Sequence, residues 1–248
     1  MKLKVLGSSS HGNCYLLIDE TGKALAIEAG VRFSDVQKAL NFEVSKLLGC
    51  LISHEHGDHA KYTHQMMQSS IDVYCSMGTA THFGGTSRPH RLHPVEPNVI
   101  FNIGDFKIYP FDVIHDAAQP LGFLINHPES GNILFITDTF YSEFTFKNLN
   151  NIILEVNYDG GILEENIASG RLNPSIRKRI ITSHMSLKTA KELLSANDLS
   201  QVNNIVLIHL SDGNSHAINF QKEIQSHTGK LVTVADTGTE INLSKTPF

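Results

Sequence analysis

The chain has 248 residues, a length that suits one sizeable core and at most two. Twenty-five acidic against 20 basic residues give a formal net charge of -5, which excludes a protein that coats nucleic acid through uniform positive charge. Hydrophobic residues at 41% and charged residues at 18% exclude a disordered chain, and the unusual count is histidine, at 14.

Met1-Lys2-Leu3-Lys4-Val5 runs straight into a strand-like pattern, so no signal peptide is expected. No apolar run approaches the roughly 18 residues that a membrane span needs, so a cytoplasmic protein without a membrane partner is expected. Leu3 to Leu6, Cys14 to Ile18 and Ala24 to Ile27 read as three short strands between Gly-, Ser- and Asp-containing turns, which predicts an antiparallel meander. A helix is expected from Ser34, with the serine hydroxyl as its cap and Gln37 as the capping-box partner. Beyond it, apolar runs end repeatedly in a ligand-type residue. Leu51-Ile52 leads to His54, Phe106 to Ile114 to His115, Ile133 to Ile136 to Asp138, Ile152 to Leu154 to Glu155, and Ile205 to Ile208 to His209. Ile180-Ile181 reads the same way ahead of His184. Short buried strands with chemistry at their ends and helices between them describe an α/β protein with its site along one sheet edge.

Cys14, Cys50 and Cys75 are odd in number, lack Cys-x-x-Cys spacing and sit beside apolar residues, so buried free thiols are expected. There is no internal repeat and no Pro/Ser-rich linker, which favours a single domain over 1–248. The segment from Asn166 to Lys191 holds Arg171, Arg177, Lys178, Arg179, Lys188 and Lys191 without one Asp or Glu. Six local positive charges in an acidic chain suggest an anionic substrate, with Arg177, Lys178 and Arg179 as its contacts; a solvated helix face is the bland alternative.

The densest signal is His54-Glu55-His56-Gly57-Asp58-His59, directly after the strand-like Gly49 to Ser53. An extended backbone alternates its side chains, so His54 and His56 point the same way and can chelate one metal. Asp58 and His59, where the chain turns into a helix, can serve a second. Imidazole and carboxylate ligands without thiolate suit Zn, Mn or Fe.

This pattern resembles the metallo-β-lactamase superfamily, whose signature is His-x-His-x-Asp-His followed by His, Asp and His at later strand ends. The resemblance covers almost the whole chain and implies an αββα four-layer sandwich with two divalent metal ions. By it, His54, His56 and His115 hold the first ion, Asp58, His59 and His209 hold the second, and Asp138 bridges them. Asp58 counts among the catalytic groups as well as the ligands. Gly7-Ser8-Ser9-Ser10-His11-Gly12-Asn13, Ser183-His184-Met185-Ser186 and His209-Leu210-Ser211-Asp212-Gly213-Asn214 look like the YycJ (WalJ) branch, which is linked to exonuclease activity on DNA. The same resemblance puts Ser10 and Asn13 at the substrate. His11 is inserted where that branch runs from Ser to Gly, and a solvent-facing side chain is expected there.

Relatives are separated by the same residues. Asp138 and His209 lie only 71 positions apart, too few for the long insertion of β-CASP nucleases. His56 stands where flavodiiron proteins carry Glu. In RNase Z, a tRNA-processing relative, a Glu at a strand end and a His before a helix protonate the leaving oxygen; Glu155 and His184 resemble that pair, with Ser186 able to cap the following helix. The implied activity is two-metal phosphodiester hydrolysis by a nuclease, DNA favoured over RNA. The alternatives are a cyclic-nucleotide phosphodiesterase and a glyoxalase II-like thioester or lactone hydrolase.

Overall fold

The computed structural model describes residues 1–246. The first half of the chain runs β1 (Lys2–Ser9), β2 (Gly12–Ile18), β3 (Ala24–Ile27), α1 (Phe33–Ala39), β4 (Leu47–Leu51), α2 (Gly57–Ala60), α3 (Thr63–Gln68), β5 (Val73–Ser76), α4 (Met77–His82) and β6 (Leu92–Val95). The second half runs β7 (Phe101–Ile103), β8 (Phe106–Asp112), β9 (Leu121–His127), β10 (Gly131–Ile136), β11 (Leu149–Glu155), α5 (Gly160–Ala168), α6 (Arg177–Ser183), α7 (Leu187–Ala196), β12 (Asn204–Ile208), α8 (Ala217–Thr228), β13 (Leu231–Val234) and β14 (Glu240–Asn242).

The strands form two seven-stranded sheets, in the orders β14-β1-β2-β3-β4-β5-β6 and β13-β12-β11-β10-β9-β8-β7. The expected meander is present, since β2 pairs antiparallel with both β1 and β3. Its first turn is tighter than the sequence suggests: β1 and β2 continue through Gly7–Ser9 and Gly12–Asn13, leaving Ser10 and His11 as the turn, with His11 exposed. From β3 to β6 the first sheet is parallel, and so is the second from β10 to β13. These parallel strands bring their C-terminal ends to one shared rim.

Period-two alternation divides the buried side chains among three cores. Val5, Tyr15, Leu17 and Leu51 of the first sheet meet Phe106, Phe123, Phe135, Ile153 and Val206 of the second between the sheets. Cys14, Leu16, Ala26 and Cys50 face outward onto Phe33, Val36, Met66 and Met67 of α1 and α3. Ile152, Leu154, Ile205 and Leu207 face outward onto Leu193, Leu194, Phe220 and Ile224 of α7 and α8. The result is the α/β four-layer sandwich, helices outside and sheets inside. All three cysteines are free and buried.

Two local expectations need correction. The cap of α1 falls two residues earlier than expected, at Arg32 and without a side-chain cap bond, so Ser34 lies inside the first turn. The amide of Phe33 donates instead to Gln65 Oε1 of α3 at 3.2 Å, a tertiary partner that replaces the local one. Ile180-Ile181 is helical, part of α6, because the residues around it have an exposed face and no strand neighbour. Ser186 does cap α7, accepting from the Thr189 amide at 3.0 Å. Among the described residues no helix is long and apolar enough to cross a membrane.

Candidate metal centre

The sequence run His54 to His59 leaves β4 on the shared rim, and its loop is held from three sides. The Ser53 amide donates to Glu28 Oε1 at 3.3 Å, while the Ser53 carbonyl accepts from the Leu121 amide at 3.0 Å. Glu55, the residue of the motif that faces away from the other ligands, accepts from the Ala118 amide at 2.7 Å and from Thr79 Oγ1 at 3.2 Å. It thereby ties this loop to the one carrying His115. Glycine is required beneath the loop: a Cβ at Gly30 would lie 1.8 Å from the Asp58 carbonyl oxygen, and one at Gly12 would lie 2.4 Å from the Gly30 carbonyl oxygen.

His54, His56, His115 and Asp138 offer ligand atoms within 4.8 Å of one another, and so do Asp58, His59, Asp138 and His209. In the first group His56 Nδ1 is 3.1 Å from His54 Nε2 and 3.0 Å from His115 Nε2. The Ser183 carbonyl can only accept, so His115 Nδ1 carries the proton that bonds it at 2.8 Å, and Nε2 presents a lone pair. Burial lowers the pKa of both His54 and His115, which keeps these rings neutral and their lone pairs available. One proton on His56 Nδ1 can bridge to a single neighbour but cannot satisfy three converging nitrogens, whereas one cation can, and ligands around a tetrahedral zinc stand roughly 3.3 Å apart.

Asp138 joins the two groups. Its Oδ2 is 3.8 Å from His54 Nε2 and 3.6 Å from His115 Nε2, while its Oδ1 is 3.4 Å from His59 Nε2 and 3.8 Å from His209 Nε2. Asp58 Oδ2 completes the second group, 3.2 Å from His59 Nε2 and 3.0 Å from His209 Nε2. Burial alone would raise the Asp138 carboxyl, but His209 and His59 outweigh it and hold the pKa well below the usual carboxylate range. The donor set therefore fits two divalent cations sharing one carboxylate.

Glu155 ends β11 on the inner face, as its alternation with Ile153 requires, and is fully buried. Its Oε2 accepts from the amides of Thr139 at 3.1 Å and Met185 at 3.3 Å, and its Oε1 takes the His184 Nδ1 proton at 2.6 Å. Burial would lower the His184 pKa, yet the adjacent Glu155 carboxylate overcomes this and pushes it up to about 9. An open cleft of about 450 Å³ lies above, lined by Ser10, His56, Asp58, His115, His184 and His209 and roofed by Ile176, Arg179 and Ile180.

The remaining expected substrate contacts divide. Ser10 and Arg179 line the cleft. Asn13 is fully buried behind it, its Nδ2 donating to the Ser9 carbonyl at 3.0 Å and lying 3.3 Å from His59 Nε2. Arg177 is turned to Glu164, bonded through Nε at 2.7 Å, and Lys178 is exposed and does not line the cleft. Other charges of the basic segment are also matched: Arg171 by Glu165 at 3.1 Å, Arg179 by Asp116 at 3.3 Å, and Lys191 by Glu223.

Sequence reading missed Glu28, fully buried at the end of β3, whose Oε1 lies 3.7 Å from His59 Nδ1, near it but beyond hydrogen-bond distance. A small rotation of either side chain would make it the outer carboxylate that orients a ligating histidine. The signal was present, because Ala24 to Ile27 is another apolar run ending in a carboxylate. It missed Asn157 as well, which donates to the His209 carbonyl at 2.9 Å and lies 3.2 Å from His209 Nδ1. Glu28, Asp138 and His209 all have left-handed backbone, with φ of 70°, 37° and 53°.

A family model for the beta-lactamase superfamily domain matches residues 29–210. Exodeoxyribonuclease YycJ of Bacillus anthracis is 28% identical over 234 residues, covering 87% of this chain and 84% of the relative. Exodeoxyribonuclease WalJ of Streptococcus pneumoniae is 26% identical over 229 residues, covering 86% and 83%. Among solved structures, the metallo-beta-lactamase fold protein YhfI from Bacillus subtilis superposes with a TM-score of 0.70 at 16% identity, covering 97% of this chain and 99% of that one, a likeness of fold.

Proposed function

The chain belongs to the beta-lactamase superfamily, and from that premise we propose that it is a two-metal phosphodiesterase of the YycJ type, an exonuclease acting on DNA. The observation that carries the reading is Asp138, which turns one carboxylate oxygen to each of two ligand groups at the floor of an open cleft. His54, His56 and His115 would hold one ion and Asp58, His59 and His209 the other, supplying Lewis acidity toward a phosphoryl oxygen and an activated water at neutral pH. Around them, the chain's own residues bind and move protons. His184, kept charged by Glu155, holds a proton at the cleft wall for the leaving oxygen. Arg179 and Ser10 line the cleft, where a phosphate would meet them.

DNA as substrate is drawn from the two relatives' names. A second reading, a cyclic-nucleotide phosphodiesterase, is favoured by a separate observation: four cations of the basic segment, Arg171, Arg177, Lys188 and Lys191, are paired with carboxylates outside the cleft, which leaves little free positive surface for a long nucleic acid. A panel of linear DNA, tRNA precursor, cyclic nucleotides and a thioester, presented to Mn- and Zn-loaded protein, decides between them. Processive loss of nucleotides from DNA ends is expected. Turnover of cyclic nucleotides alone would transfer the assignment, and turnover of the thioester alone would remove phosphodiesters from the site.

A further inference from the structure

At the end of the sandwich opposite the rim, the two sheets bring a second set of ligand-type side chains together. Asp19 follows β2 in the first sheet, Asp105 stands in the turn between β7 and β8, and His127 ends β9 in the second. One ligand atom from each lies within 4.8 Å of the others. We propose that Asp19, Asp105 and His127 form a separate site for one divalent transition-metal ion, Zn or Mn in class, which clamps the two sheets at their far end.

His127 is the residue that makes this more than an acidic cluster. It is 3% exposed and packs on Phe106 between the sheets, with ring centroids 4.6 Å apart. Its Nδ1 lies 3.3 Å from the Glu129 amide of its own turn, and its Nε2 is buried with no hydrogen-bond partner. A buried imidazole nitrogen without a partner is costly, and a metal is one of the few groups that satisfies it. Coordination through Nε2 puts the ring proton on Nδ1 and gives up only that long contact.

Asp19 is 7% exposed and fixed by its own turn, with Oδ1 accepting from Thr21 Oγ1 at 2.7 Å and the Lys23 amide at 2.9 Å. Its other oxygen remains for a ligand. Asp105 has a 64% exposed side chain and only a long contact to Lys23 Nζ, at 3.9 Å, so it can swing inward. Ligand atoms around a tetrahedral zinc stand roughly 3.3 Å apart, and rotation of Asp105 closes the gap. One imidazole and two carboxylates suit Zn or Mn, and waters would fill the remaining positions. Lys23 is the competing cation. If it alone neutralises Asp105, no ion binds.

The test counts ions. Full-length protein and its His127→Gln, Asp19→Asn and Asp105→Asn variants are dialysed against Zn or Mn, and bound metal is measured together with the thermal midpoint in the presence and absence of added ion. Each variant is expected to hold one equivalent fewer than the parent, to gain less in thermal midpoint from added ion, and to keep its hydrolytic activity. Asp105→Asn, at an exposed turn, keeps the test valid if His127→Gln fails to fold. Equal metal content in parent and Asp105→Asn protein, with equal thermal gain, would overturn the site and leave Asp105 to Lys23. Because activity is read separately, an inactive parent would count against the phosphodiesterase reading and not against this one.

Discussion

The two sheets contribute to the rim in different ways. From the first sheet a single loop after β4 supplies His54, His56, Asp58 and His59, so one segment serves both ligand groups. From the second, β8, β10, β11 and β12 deliver one residue each: His115, Asp138, Glu155 and His209. The first arrangement concentrates information in six consecutive positions and depends on the backbone beneath it. The second depends on strand order, since the parallel run β10 to β12 sets three of those ends side by side and β8, across β9, brings the fourth to the same rim. Damage to the loop should therefore be collective, and damage to the second sheet's residues should separate by role.

The largest effect is expected where the two arrangements meet. Asp138→Ala should lose most of its metal and activity, falling from about two ions per chain and exceeding the 10–100-fold that loss of an outer partner costs. Elemental analysis after reconstitution decides, and full retention of both ions would end the shared-carboxylate description. Next comes His184→Ala, which should keep its metals yet lose about 10²–10⁴-fold in rate on an alkoxide leaving group and far less on a nitrophenolate. Equal losses on both would make His184 a phosphate-positioning residue. The same residue fixes a pH dependence. Its folded pKa is raised from 6.5 to about 9, so the stability it contributes is complete below 6.5 and is lost as pH rises through about 9. Proton donation should likewise fade toward alkaline pH, with bound cations setting the limb below the metal-free value, and Glu155→Gln should move it lower still.

Glu28→Gln should be milder, costing about 10–100-fold in affinity at the group containing His59 and sparing the group containing His54. Metal titration that weakens both groups equally would show the loop, and not one histidine, to be what Glu28 supports. The smallest expected effect concerns the basic segment. On any nucleic acid that is bound, Arg179→Ala should reduce the salt dependence of binding by about one unit of slope, because it lines the cleft, and Arg177→Ala, outside the cleft, by about none. Equal slopes for the two variants would erase the distinction drawn from the cleft.

Much of this was legible because buried parallel strands are short apolar runs, and a polar residue at their end is conspicuous. His115, Asp138, Glu155 and His209 all announce themselves in that way. Glu28 does too, but Glu-Ala-Gly carries no histidine to draw notice. The basic segment is less free than its composition suggests for a reason of framing: its window begins at Asn166, and Glu164 and Glu165, the partners of Arg177 and Arg171, stand just before it. Ser34 misleads because a tertiary bond from the Phe33 amide to Gln65 replaced the local cap. Ile180-Ile181 misleads because two apolar residues fit either period, and only the packing of α6 above the cleft settles which.

The left-handed backbone at Glu28, Asp138 and His209 sets heat tolerance against usefulness. A non-glycine residue held there costs of order 1–3 kcal/mol, which glycine would largely recover. In a metal-free selection for thermal endurance alone, Glu28→Gly should be enriched, because it relaxes a φ of 70° and removes a buried carboxylate. Melting curves of the metal-free proteins would check this, and a lower midpoint for the glycine variant would refute it. A lineage freed from the need to hydrolyse anything should drift toward glycine at these three places, so their side chains serve as a record of continuing use.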